Sequence, residues 1–171
     1  MKRRLFVDID GVLAKFHPEK SLEEVATKGY SLNLEPQIEV VRSIKNLADE
    51  EQDEELDLEV FILGAVLNDD CQNDKDMWLD GYLSEIDKDH RIYVPYGIQK
   101  EVWLRSIGIE PSESDILLDD FTKNLNTWHG VGVKLLNGIN GTHGTWRGLV
   151  VNGKSDEITI TKALLGIIKV A

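Results

Sequence analysis

Short apolar runs separated by amphipathic stretches set the narrowest limit on what this chain can fold into. Leu5 to Ile9, Leu58 to Leu63, Arg91 to Val94, Asp115 to Leu118 and Val131 to Leu136 each have the length of a strand. Between them, Ile38, Val41, Ile44 and Leu47 recur at helical spacing within Pro36 to Ala48. Trp78 or Leu79 with Tyr82, Leu83 and Ile86 makes a second such face. Val102 to Ile107 and Thr122 to His129 read as shorter helices, the latter stopped by Gly130. Strands alternating with helices predict an α/β fold, a Rossmann-like parallel sheet of about five strands with flanking helices. Ligands of such sheets bind beyond the carboxyl ends of the strands. The 171 residues fit one domain over the whole chain.

Residues 14–35 stand outside the alternation. Ser21-Leu22-Glu23-Glu24 is a capping box, and Gly29 stops the short helix that it starts. An insertion directly after the first strand predicts a small lid above the strand ends. The tail after Gly138 predicts a hairpin and then a short apolar helix, Thr161 to Val170. Within it, Gly148-Leu149-Val150-Val151-Asn152-Gly153-Lys154-Ser155 matches the phosphate-loop pattern letter for letter. A phosphate cradle needs a strand before it, a helix after it and permissive residues inside. Here Leu-Val-Val fills the interior and β-prone Ile158-Thr159-Ile160 follows, so Asn152-Gly153 reads as a type I′ hairpin turn. Gly138 to Gly144 reads as a loop, without the acidic partner of a dinucleotide fingerprint.

Charge narrows the partners. Nineteen basic against 31 acidic residues give −12, which repels nucleic-acid backbone and anionic membrane. A small phosphorylated substrate fits if a cation and local donors outweigh that field. Asp49 to Asp57 carries much of the excess and reads as a solvated loop or frayed helix end. No apolar run approaches the roughly 20 residues of a membrane span. Leu5-Phe6-Val7 is too short for a signal peptide, and a cytoplasmic location is expected. Cys71 is the single cysteine, which excludes an internal disulfide and a thiolate metal cluster. His17, His90, His129 and His143 show no metal spacing, and Asp69-Asp70 and Asp74 to Asp76 lack the pattern of a calcium loop.

The chemistry gathers where apolar runs give out. Phe6-Val7-Asp8-Ile9-Asp10-Gly11 places Asp8 and Asp10 on one side of the strand end, with a glycine to turn the chain. Transfer of a phosphoryl group from a monoester needs a nucleophile, an acid for the leaving oxygen and a cation. Two carboxylates and magnesium can supply these. Asp-x-Asp alone is equally a strand-terminal acidic turn. Ile116-Leu117-Leu118-Asp119-Asp120 repeats the arrangement, with Asn124 four residues after Asp120. Four carboxylates at strand ends call for a cation between them. Lys100 follows the Arg91 strand across Pro95-Tyr96-Gly97, where a fixed charge can hold phosphate and nucleophile together. The Leu58 strand runs into Gly64-Ala65, whose backbone N–H groups can meet phosphate. Phe16 and Tyr30, in the lid, either stack on a base or pack the lid.

This order of motifs resembles the haloacid dehalogenase (HAD) superfamily of phosphatases. Val60-Phe61-Ile62-Leu63-Gly64-Ala65, Lys75-Asp76-Met77-Trp78-Leu79 and Leu118-Asp119-Asp120-Phe121-Thr122-Lys123-Asn124-Leu125 further resemble its 5′(3′)-deoxyribonucleotidase (5′-nucleotidase type C) branch. The resemblance implies that Asp8 is the nucleophile that becomes an aspartyl-phosphate. It implies that Asp10 is the general acid and base and offers its backbone carbonyl to Mg2+. Lys100 matches the third-motif lysine, and Asp119 and Asp120 match the fourth-motif acids, of which at least one binds the metal. The implied substrates are nucleoside or deoxynucleoside 5′-monophosphates. One departure is visible: the second motif ends in Ser or Thr, and Gly64 takes that place here, losing a hydroxyl at ~1–3 kcal/mol of phosphate stabilisation. That departure keeps open a phosphate-binding module of weak or no turnover. A phosphatase for a non-nucleotide ester is the other alternative.

Overall fold

A computed structural model describes residues 3–50, 57–139 and 144–171. The middle of the acidic run (51–56), the N-terminal Met1-Lys2 pair and the 140–143 part of the glycine-rich stretch, with His143, lie outside the described residues. Six strands form one sheet in the order β3-β2-β1-β4-β5-β6. They are β1 (Arg3–Val7), β2 (Leu58–Val66), β3 (Arg91–Pro95), β4 (Ile116–Asp119), β5 (Val131–Leu136) and β6 (Leu149–Asn152). Every pairing is parallel. The order reverses between β1 and β4, so the ligand crevice of this sheet opens where those two strands end.

Alternating side chains divide the core into two layers. Leu5, Val7, Val60 and Ile62 face one layer with Ile44 and Leu47 of α2 (Ile38–Glu50) and Leu164 of α6 (Glu157–Ile168). Phe6, Leu63, Val94 and Leu117 face the other, against Leu104 of α4 (Lys100–Ser106) and Leu125 of α5 (Thr122–Asn126). Strands buried on both faces must be apolar throughout, which is why β1, β2 and β4 read as continuous runs.

The C-terminal tail differs from expectation. Asn152-Gly153 is not a hairpin turn, because β6 pairs parallel to β5, with Val133 opposite Leu149 and Leu136 opposite Asn152. The β-prone Ile158-Thr159-Ile160 is the first turn of α6, capped by Asp156, whose side chain accepts from the Thr159 N–H. The cap overrides the weaker strand preference of three residues. The match to the phosphate loop therefore does lie between strand and helix, contrary to expectation. It still forms no cradle, since Leu149–Asn152 is itself the strand and leaves only four residues before α6.

The chain leaves the sheet and returns at a neck, where Ala14 pairs with Pro36 and the Lys15 N–H donates to Glu35 O at 2.8 Å. Between lie α1 (Leu22–Val25), with its complete Ser21–Glu24 capping box, and a 3-10 turn at Ser31–Asn33. This excursion rests on α3 (Asp69–Tyr82), which starts well before the periodic face around Trp78 because Asn68 caps it. Asn68 Nδ2 donates to Ala26 O (3.0 Å), the Gly29 N–H to Asp74 Oδ2 (2.6 Å), and Trp78 Nε1 to Leu34 O (2.9 Å). Asp74 and Trp78 stand one helical turn apart on α3, and Asn68 is its cap. Trp78→Phe removes one buried donor and leaves the Leu34 carbonyl unpaired, at a cost of about 1–3 kcal/mol. Chemical denaturation is expected to show that loss, with faster amide exchange concentrated in residues 15–36.

Candidate active site

Register brings the acids together. Val7 pairs with Ile62 on one side and Leu118 on the other, so the next residues, Asp8 and Asp119, end adjacent strands at one level. The Asp8 N–H donates to Leu118 O at 3.0 Å, which continues the ladder to that point. Asp8, Asp119 and Asp120 are all buried, and one carboxylate oxygen from each lies within 4.8 Å of the others. Lys100, the first residue of α4, sits between two of them, with Nζ 2.8 Å from Asp8 Oδ1 and 2.6 Å from Asp119 Oδ2. Asp119 is further held by Asn124 Nδ2 (2.9 Å) and by the Phe121 N–H (2.7 Å).

Asp10 stands at the edge of this group with 29% of its side chain exposed, paired with the buried Lys75 of α3. Gly11 follows in the left-handed conformation (φ 84°), and a Cβ there would collide with the Asp120 carboxylate. The Gly11 carbonyl accepts from Gln37 Nε2 and Asn137 Nδ2, both at 2.8 Å, and Asn137 Nδ2 also reaches Asp120 Oδ2 at 2.9 Å. The turn after β1 is thus tied to the ends of β4 and β5.

The electrostatics are short of positive charge. Asp8, Asp10, Asp119 and Asp120 set four carboxylates against the ammonium groups of Lys75 and Lys100. Burial above all pushes the Asp8 carboxyl up, Lys100 pulls it down, and Asp119, Asp10 and Asp120 push it up again, to about 8 in all. Burial works to discharge Lys100, but Asp119 and Asp8 outweigh it and hold its ammonium above the ordinary value. Hard oxygen donors in such a cluster suit a divalent ion of the magnesium or calcium kind. Its two charges match the excess of carboxylates over ammonium groups.

Above the acids opens a cavity of about 350 Å3. Asp8, Asp10, Lys100, Asp120 and Asn124 line it below, and Phe16, His17 and Tyr30 line it from the excursion. Ala65 lines it as well, whereas Gly64 does not. A Cβ on Gly64 would lie 2.6 Å from Ile9 Cδ1, so this glycine is required by packing against the core. Sequence reasoning missed Lys75, Gln37 and Asn137. Asn137 carried a usable signal, as the first polar residue after the β5 run.

No protein-family model matches this chain, and no curated protein matches it by sequence. Its fold is the HAD fold, a Rossmann-like parallel sheet with flanking helices. Among solved structures it is similar to D,D-heptose 1,7-bisphosphate phosphatase from Burkholderia thailandensis, with a TM-score of 0.60 and 12% identity over 96% of this chain and 99% of that one. It is also similar to the HAD domain of effector protein Lem4 from Legionella pneumophila, with a TM-score of 0.50 and 14% identity over 99% and 96%. Among the described residues, no helix is long and apolar enough to cross a membrane.

Two substitutions separate packing from chemistry. Gly11→Ala forces a Cβ into the Asp120 carboxylate and strains the backbone, so any rise in Tm that added magnesium brings to the unaltered chain is expected to be lost. Gly64→Ser overpacks Ile9 and is expected to cost about 1–3 kcal/mol in denaturant melts. It should bring no gain in phosphate affinity.

Proposed function

We propose that this chain is a magnesium-dependent phosphomonoesterase that works through an aspartyl-phosphate on Asp8, with nucleoside or deoxynucleoside 5′-monophosphates as substrates. One observation carries the reading: Lys100 bridges Asp8 and Asp119 at the floor of a cavity where three buried carboxylates converge. Asp8, Asp119 and Asp120 would hold magnesium, with the Asp10 carbonyl as a further oxygen donor. The metal, when bound, offsets charge on the phosphoryl oxygens. Lys100 orients the Asp8 carboxylate and adds a second fixed positive charge beside it.

In the first half of the reaction an Asp8 oxygen attacks phosphorus and the ester P–O bond breaks. Asp10 gives its proton to the departing alkoxide, which leaves as the alcohol. In the second half Asp10 takes a proton from water as that water attacks phosphorus. The bond from phosphorus to Asp8 breaks, releasing inorganic phosphate and restoring the Asp8 carboxylate and the protonated Asp10. Backbone N–H groups at Ala65 and its neighbours and the Lys100 ammonium are the phosphate donors of this scheme.

The nucleotide assignment rests on the walls above the acids. Phe16 and Tyr30 from the lid and Tyr96 and Phe121 from the opposite loops present aromatic surface to the cavity, suited to a base. Likeness to a heptose bisphosphate phosphatase makes sugar phosphates the competing class. The reading as a binding module without turnover drew on Gly64, whose α-carbon faces Ile9 and so says nothing about phosphate contacts.

Phosphate release from a panel of ribo- and deoxyribonucleotides and sugar phosphates tests the proposal. Release from nucleotides is expected to require magnesium and to stop with EDTA. Asp8→Asn should abolish it and Asp10→Asn should lower kcat by about 100- to 10,000-fold. Release from sugar phosphates alone would keep the mechanism and overturn the nucleotide assignment.

A further inference from the structure

Lys75 has no part in the scheme above, yet it is the best-buried cation beside the reacting groups. Its side chain is 3% exposed, and its ammonium reaches Asp10 Oδ2 and, at 2.6 Å, the Ala65 carbonyl. An ammonium carries three N–H donors, and among the described residues these two oxygens are its acceptors. Lys75 also lines the cavity that holds Asp8. Its third donor is therefore left for that cavity, beside the end of β2. At that same place Gly64-Ala65-Val66-Leu67 offers no hydroxyl.

Lys75 is also held in place from several sides. Asn68 caps α3 through the Cys71 N–H at 2.8 Å, and Asp74 takes the Gly29 N–H. The next residue, Asp76, accepts from buried Arg91 at 3.0 Å, and Arg91 reaches Asp80 at 2.7 Å. A long side chain fixed this firmly loses little freedom on meeting a ligand.

We propose that Lys75 is a phosphate-binding residue whose third N–H takes a non-bridging phosphoryl oxygen on the β2 side, where this chain lacks a hydroxyl. The assignment rests on the phosphomonoesterase reading of the same site. It gives the phosphoryl group two lysines, Lys100 at the Asp8–Asp119 pair and Lys75 at the Asp10–Ala65 edge. Ala65, which lines the cavity, is the position at which a hydroxyl could replace that contact; Gly64 is blocked by Ile9.

The test is calorimetric titration of the full chain with inorganic phosphate in the presence of magnesium. It compares the unaltered chain, Lys75→Met, and Lys75→Met combined with Ala65→Ser. Lys75→Met is expected to weaken phosphate binding tenfold or more, and Ala65→Ser to restore part of it. Failure of the unaltered chain to bind phosphate, or equal binding by a folded Lys75→Met, overturns the proposal and leaves Lys75 as a positioning residue for Asp10. If Lys75→Met does not fold, the unaltered chain labelled with 13C at lysine Cε carries the test, with Lys75→Arg assigning the signal. Phosphate should shift the Lys75 signal, and an unmoved signal overturns the assignment. Ester turnover by the unaltered chain is measured alongside. Lys75-dependent phosphate binding without turnover would sink the phosphatase reading alone, and turnover with Lys75-independent binding would sink this one alone.

Discussion

The buried contact of Lys100 with Asp8 and Asp119 is the interaction on which the rest of the site depends. It exists because the sheet order places β4 beside β1, and because β3 returns the chain so that α4 begins at Lys100. Desolvating three charged groups costs more than their attraction alone repays in most interiors. The arrangement is therefore poor evidence for stability and good evidence for a positional role. Removing the ammonium would leave two carboxylates side by side at the ends of paired strands. Asn124, the Phe121 N–H and Asn137 supply the remaining donors, and each comes from a segment just beyond a strand end.

A second dependence runs through α3. One helix carries the anchors of the excursion after β1, at Asn68, Asp74 and Trp78, and the lysine that pairs with Asp10. Arg91, at the start of β3, fastens the same helix through Asp76 and Asp80. Burial works against the Asp76 carboxylate, yet hydrogen bonds from Lys88, Tyr93 and Arg91 hold it below the ordinary range. The roof of the cavity and one of its charged walls thus share a single rigid support.

What the sequence disclosed follows from how each residue type is constrained. Strands buried on both faces admit little but apolar side chains, so β1 to β5 were legible with ends off by at most three residues. Acids at the ends of such strands stood out against that background, which exposed Asp8, Asp10, Asp119 and Asp120. The sixth strand is an edge strand with mostly exposed side chains, and Asn152-Gly153 after it carries the local signal of a hairpin. Only the pairing with β5, a tertiary fact, decides otherwise. Lys75 carries no such signal, because a lysine in a helix ordinarily points to solvent and helical spacing alone does not reveal a polar group on a buried face. Gly64 against Ala65 is a one-residue question of register, and side chains on a strand change face at every residue.

Under the proposed function, the global charge of −12 and an anionic substrate are reconciled by where the positive charges are placed. Lys15 and Lys20 line the cavity, but Glu35 and Glu24 pair with them, and both pairs are exposed. Exposed pairs in water contribute little field beyond a Debye length. Lys75 and Lys100 are enclosed, where the same charge acts through a lower dielectric and is screened far less by salt. A divalent ion among Asp8, Asp119 and Asp120 would add to that field at the place the proposed function gives to a phosphoryl group. Phosphate recognition of the proposed kind would therefore depend on a few desolvated charges at the strand ends, and an acidic surface is compatible with it because that surface lies outside their range.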